Sequence, residues 1–288
     1  GRRLPGWVPA VAGLMVLALI TVPMVSRANA LVGLRISFFN VLLALVVWRC
    51  PLDAKERDRL ITIFVALETI SIPTFVLAAY RKHDRASNEA GVKYYVIGVL
   101  SSAIMLYGMS LLYGIANSTK LVDIGTTLAD NVTAIRALAV LFVVIGFAFK
   151  VSAVPFHTWA PDTYQGAPTP VTAFLSVASK AAGFAGLVTM VYVAFPAAKD
   201  VYQPIMWVLA AITMTLGNLV ALRQTNIVRM LAYSSISQGG FILMPLAVAW
   251  KHGADGLTAN RDSLTAIVTY LLVYAAMNLG AFGVILAV

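Results

Sequence analysis

The chain has 288 residues, of which 60% are hydrophobic and 11% charged, with a mean hydropathy of +0.86. Soluble domains carry about 25% charged residues, so this composition excludes them and points to a membrane-embedded chain. The net charge of +9 would suggest nucleic acid in a soluble protein; here basic residues flanking apolar runs account for it, and no nucleic-acid partner is expected.

A bilayer crossing needs about 20 apolar residues in a helix. Such runs predict helices over 8–25, 30–49, 60–80, 92–116, 134–155, 167–195, 202–222, 227–250 and 264–288. The fold class is therefore all-α: a single polytopic transmembrane bundle over 1–288, with about nine helices and 117–136 read as a connection. A signal peptide is the rival reading of 1–30, since Arg2 and Arg3 precede an apolar run and Ala28-Asn29-Ala30 resembles a cleavage site. The run exceeds the usual apolar core of about 7–15 residues, which favours a retained helix. Gly1 at the start and an apolar run reaching Val288 suggest a piece of a longer chain. Most loop lysines and arginines fall on the side of Arg49–Arg59 and Lys199, which by charge alone would be cytoplasmic.

Several chemistries lack support. An iron–sulfur cluster usually takes four cysteines and a disulfide takes two, whereas Cys50 stands alone. No GxGxxG turn, P-loop or HExxH pair is present, and His83, His157 and His252 are scattered. Neither a cofactor nor a metal is expected in this chain.

The informative residues are charges inside apolar sequence. Glu68 falls mid-run in ITIFVALETISIPTFVLAAY, and Pro73 lacks the donor for the Thr69 carbonyl, freeing an acceptor nearby. A buried carboxyl beside a cation is poised to take or release a proton; the plainer alternative is a glutamate pinning two helices. Lys150 lies five residues before Pro155, where the helix is expected to break. Non-helical backbone at membrane depth survives only against protein or water, and broken helices mark ion sites in transporters. Snorkelling to the interface is the competing account of this lysine. Lys180 lies more than two turns inside a helix that starts at Pro168 and Pro170. With Thr169, Thr172, Ser176, Ser179 and Gly183 it forms a small, polar stripe, which faces a bundle interior. A lysine at a bilayer centre costs roughly 2.5–3.5 kcal/mol on insertion scales.

Secondary candidates follow. His157, after the break, changes charge near neutral pH and suits a relay between the two lysines, or merely satisfies loop carbonyls. Lys93 snorkels, or couples to Glu68 if their helices pack. Tyr233, Ser234, Ser235, Ser237 and Gln238, and separately Asn278, read as water-lined packing.

Taken together, VPFHTWAPDTYQGAPTPVTAFLSVASK, QTNIVRMLAYSSISQGG, MNLGAFGVI, ALETISIPTFVLAAY and EAGVKYYVIGVLSSAIMLYG resemble the antiporter-like membrane subunits of proton-pumping NADH:quinone oxidoreductase (respiratory complex I), in particular their subunit N (subunit 2) branch. The likeness is firm over 59–288 and poor before it. The resemblance implies about fourteen helices in two inverted five-helix repeats, each with a broken helix, and a second repeat beyond Val288. It places Glu68, Lys93, Lys150 and Lys180 on the family's proton-path residues. It implies flavin, iron–sulfur clusters and quinone in partner subunits, other complex I membrane subunits as partners, and a bacterial plasma membrane. It also puts loops 81–91 and 223–229 on the cytoplasmic side, against the charge count. Val228-Arg229 stands where the family reads lysine–arginine, and Arg49–Arg59 is unusually charged. The implied activity is proton translocation driven by electron transfer elsewhere. The alternatives are a subunit of a multisubunit cation/proton antiporter or membrane-bound hydrogenase, or an inert scaffold.

Overall fold

The computed structural model describes residues 60–130, 132–250 and 256–287. The helices expected at 8–25 and 30–49, together with Cys50 and His252, lie outside the described residues. Those residues are helical, with no strand among them. In chain order the helices are α1 (Leu60–Ala78), α2 (Arg85–Ala116), α3 (Leu121–Asp130), α4 (Ala134–Lys150), α5 (Trp159–Gly166), α6 (Thr169–Ala194), α7 (Lys199–Ala221), α8 (Ile227–Leu243) and α9 (Gly256–Ala287). Two stretches of α6, Leu175–Ser179 and Met190–Ala194, are wound as π-helix. Six helices are long and apolar enough to cross a membrane: α1, α2, α6, α7, α8 and α9. The chain is an integral membrane protein.

Local sequence explains the helix ends. Asp84 caps α2 by accepting from the Ala86 N–H at 2.9 Å, so α2 starts at Arg85, ahead of the expected 92. Thr133 caps α4 and Asn226 caps α8, each accepting from the N–H three residues on. The connection at 117–136 contains α3, whose Leu121, Ile124 and Leu128 recur at helical spacing and are buried. Ten residues are too few to register as a crossing, which is why the apolar-run reading passed over this helix. Arg136, read as a loop residue, is buried at the start of α4. It donates to the Leu128 carbonyl at 3.1 Å and pairs with Asp200 at 2.6 Å, tying α3 and α4 to the start of α7.

In lipid, helices associate through close packing rather than exclusion of apolar surface, so small residues matter at crossings. A Cβ on Gly217 of α7 would stand 2.7 Å from the Ser237 nitrogen of α8, and one on Gly240 would stand 2.8 Å from that of Met214. Gly108 of α2 lies against α4 in the same way. One core surrounds α4 through Val140, Val143, Val144 and Phe147; a second, aromatic one gathers Phe75, Tyr94, Phe149, Trp159 and Tyr164. Large apolar side chains such as Val76, Trp207, Leu219 and Val273 point outward.

Gly108→Ala tests the α2–α4 crossing. Its Cβ would stand 2.8 Å from the Val143 nitrogen and 2.9 Å from the Ala139 carbonyl oxygen, both backbone atoms that cannot swing aside. Overpacking of this kind costs about 1–3 kcal/mol. The variant should unfold at a lower temperature in detergent than the parent, as read by a thermal melt.

Candidate functional site

The site is organised by an interruption. α4 ends at Lys150, short of the expected 155, and α5 begins at Trp159, leaving eight residues of turn between them. Every shift from helical geometry here is met by a local hydrogen bond. The Ser152 N–H donates to the Phe149 carbonyl at 3.0 Å and the Ala153 N–H to that of Ala148 at 2.8 Å. The Val154 N–H donates to Thr213 Oγ1 on α7 at 3.0 Å, and Trp159 Nε1 donates to the Phe149 carbonyl at 3.2 Å. Trp159 stacks on Tyr94 with ring centroids 4.5 Å apart, sealing the break from one side. Buried backbone groups must be paired, and these contacts let the chain leave the helix deep in the bundle.

Lys150 is the last residue before the break and is 4% exposed. Its ammonium donates to Ser71 Oγ of α1 and lies 3.5 Å from Glu68 Oε1. Ser71 gives its own proton to the Leu67 carbonyl at 2.6 Å, so its oxygen faces the lysine as an acceptor. Ser102 Oγ of α2 donates to the same Glu68 oxygen at 2.7 Å. Glu68 and Ser71 stand three residues apart on one helix face. Three helices thus converge on one carboxylate and one ammonium.

Lys180 is held differently. It is 1% exposed, and its ammonium donates to the Ser235 carbonyl at 2.5 Å and to Ser235 Oγ at 2.7 Å, both on α8. Ser235 Oγ meets the Tyr274 hydroxyl of α9 at 2.7 Å. The polar stripe of α6 faces the interior as its spacing predicts: Thr172, Ser176, Ser179 and Gly183 are buried. The two lysines occupy adjoining ground. A Cβ on Gly183 would stand 3.0 Å from Lys150 Cβ, and one on Gly239 would stand 3.0 Å from the Val151 carbonyl oxygen and 3.9 Å from Lys180 Nζ.

The remaining candidates lie apart from these two. Lys93 pairs with Asp162 of α5 at 2.6 Å and with Glu89 at 2.7 Å, rather than with Glu68. Ser102, which does reach Glu68, is nine residues further along α2, about 13 Å by helical rise. Arg229 of α8 pairs with the other Asp162 oxygen at 2.5 Å, so the acid clamps α2, α5 and α8 together. His157 is half-buried, with its ring 6.4 Å from that of Tyr233 and its Nδ1 lacking a hydrogen-bond partner. Pro155 sits in the break and Pro73 within α1, the latter four residues after Thr69 as expected. Among the described residues no cluster of His, Cys, Asp and Glu could hold a metal ion.

Sequence reasoning did not single out Ser71, Ser102, Asp162 or Tyr274. Ser71 was detectable, because a serine three residues after a buried glutamate shares its face. Ser102 and Tyr274 carry no local signal, since their partners are 34 and 39 residues away.

The family profile described as "NADH:quinone oxidoreductase/Mrp antiporter, TM" matches residues 58–288. The NAD(P)H-quinone oxidoreductase subunit 2 of Thermosynechococcus vestitus is 48% identical over 246 residues, 85% of this chain and 45% of that protein. Its counterpart in Acaryochloris marina is 43% identical over 270 residues, 93% of this chain and 49% of that protein. The chain therefore spans about half the length of the curated relatives it matches. A chain of respiratory complex I from Thermus thermophilus superposes with a TM-score of 0.64 at 30% identity, over 92% of this chain and 55% of that one. A chain of the Mrp complex from Dietzia superposes with a TM-score of 0.71 at 23% identity, over 93% of this chain and 48% of that one, a likeness of fold alone.

Removing one partner of a buried ion pair costs about 3–5 kcal/mol, while replacing both by apolar residues is often neutral. Glu68→Leu should therefore lower the unfolding temperature in detergent. Adding Lys150→Met to the same protein should recover most of the loss. The check is a double-mutant thermal cycle, and additive losses would mean the two groups do not interact.

Proposed function

This chain belongs to the NADH:quinone oxidoreductase/Mrp antiporter transmembrane family, and on that premise we propose that it is a proton-translocating membrane subunit of a NADH:quinone oxidoreductase, of the subunit N (subunit 2) type. It works in a bacterial plasma membrane beside other membrane subunits of that complex. Flavin, iron–sulfur clusters and quinone belong to those partners, and this chain converts a change imposed by them into charge movement.

The observation that carries the reading is the Glu68–Ser71–Lys150 cluster at the end of a broken helix, packed against the helix that bears Lys180. An ionised Glu68 beside Lys150 favours the charged ammonium, which keeps its proton. Moving the carboxylate away leaves a cation in an apolar setting, the state that burial disfavours most. The proton then passes to the neighbouring lysine through the space that Gly183 and Gly239 keep open. Groups this close titrate as a set rather than singly. Carrying one charge against 100 mV takes about 2.3 kcal/mol, comparable to the worth of one buried ion pair. His157 and Lys93 border the route, His157 in the break itself and Lys93 in the clamp on Asp162.

The alternative is a subunit of a multisubunit cation/proton antiporter, supported by the shared fold of the Mrp chain. An inert scaffold is the third reading, under which the buried charges could be exchanged freely.

The decisive substitutions keep or remove a releasable proton. Lys150→Ala should lower proton pumping by about tenfold or more, a loss of at least about 1.4 kcal/mol in the rate-limiting step, in complexes that still assemble. Lys180→Arg should fail as well, because arginine keeps its proton at any accessible pH, whereas Lys180→His should retain part of the rate. Acidification of inverted vesicles is the measurement. A fully active Lys180→Arg complex would end the relay reading at that residue.

A further inference from the structure

Lys180 has no direct opening to the outside of the bundle, yet its hydrogen bonds continue beyond Ser235. Counting donors gives that continuation a direction. The ammonium can only donate, so Ser235 Oγ accepts from it at 2.7 Å. The Tyr274 hydroxyl donates its single proton to the Ser176 carbonyl at 3.0 Å. It must therefore accept from Ser235 Oγ across their 2.7 Å contact. Tyr164, 3.4 Å from the same serine oxygen, is left as a donor to it. The chain Lys180–Ser235–Tyr274 thus has every proton pointing one way, from the lysine toward α9.

At its far end Tyr274 forms part of the wall of an open groove between α8 and α9, about 440 Å³ in volume, which also presents Gln238, Thr269 and Tyr270. Tyr270 donates to Gln238 Oε1 within this groove. The carbonyl that anchors Tyr274 lies in the π-wound turn of α6 directly before Lys180, and such turns recur at functional sites because they disturb the regular pairing of carbonyls.

We infer that Tyr274, acting through the Ser235 hydroxyl, is the exit by which a proton leaves Lys180 for the groove between α8 and α9. The inference rests on the proton-translocating reading above. The step balances as one proton in and one out. Lys180 passes a proton to Ser235 Oγ as Ser235 passes its own to Tyr274, and Tyr274 releases its original proton into the groove. Both hydroxyls end neutral and Lys180 ends as the free amine. Rotation of the two hydroxyls restores the starting arrangement. The Ser235 carbonyl, which also accepts from Lys180, holds the amine in place throughout.

The test is proton pumping by the assembled complex carrying Tyr274→Phe, which keeps the ring and removes only the hydroxyl. Pumping should fall about tenfold or more, the low end of what a positioned proton-transfer group contributes. The solvent deuterium isotope effect on pumping should rise, because proton transfer becomes the slow step. A parental rate, or a lower rate with an unchanged isotope effect, overturns the assignment. Ser235→Ala and Ser235→Thr give an independent arm should the tyrosine variant not assemble. The alanine should slow pumping and the threonine, which keeps a hydroxyl, should restore it; equal rates in the two overturn the proposal. Lys180→Ala separates this step from the reading beneath it. Lost pumping there with normal pumping in Tyr274→Phe removes the exit alone, whereas normal pumping in Lys180→Ala removes the translocation reading itself.

Discussion

The arrangement depends on one constraint: an ammonium in an apolar bundle must be matched by acceptors, and Lys150 has them only because α1 and α2 bring Glu68, Ser71 and Ser102 to the end of α4. An uncompensated charge at that depth would cost several kcal/mol, a large share of a protein's net stability. The match sets the register of α1 against α4. It also sets that of α2 against α1, since Ser102 reaches the glutamate from the other side. The glycine at 183 follows from the same demand. It lets α6 lie against the lysine's own Cβ, and this brings the second lysine within reach of the first.

The break after Lys150 is the companion of that pairing. A continuous helix would carry its ladder past the lysine and leave no non-helical segment beside it. Here the ladder stops, and the loosened backbone is re-satisfied by Thr213, by Trp159 and by short-range turns. The aromatic stack of Tyr94, Trp159 and Phe149 closes one side. At the far end of α5, Asp162 ties Lys93 and Arg229 together. These pairs are about a third exposed or more, so each contributes little to stability. Their role is to fix where α5 ends up relative to α2 and α8.

The two buried lysines differ in their partners, and the difference bears on function. Lys150 faces a carboxylate, whose position or charge can change. Lys180 faces a serine carbonyl and two hydroxyl-bearing neighbours, which stabilise an ammonium by hydrogen bonding but cannot switch charge readily. A proton is thus held by a variable partner at the first lysine and by fixed neutral ones at the second. That asymmetry suits transfer from the first to the second under the control of Glu68, and onward release through groups that return to neutrality.

The amino-acid sequence by itself determined the class, the crossings from α1 onward and the charges that matter. Glu68, Lys150 and Lys180 stand out because a charge in an apolar run is costly wherever the run folds, so the anomaly needs no structure to be seen. Helical spacing likewise announced the buried stripe from Thr172 to Gly183, and the lysine–proline spacing at 150–155 announced the break. Where each charge finds its partner was decided only by the tertiary structure. Lys93 looked as able to meet Glu68 as Ser102 is, and only the crossing of α1 and α2 turns it toward Asp162 instead. The serine–tyrosine chain beyond Lys180 joins residues from α6, α8 and α9, and Arg136 is buried because α3 and α7 fold over it. Periodicity reports the face on which a side chain lies. It carries no information about which distant helix will pack against that face.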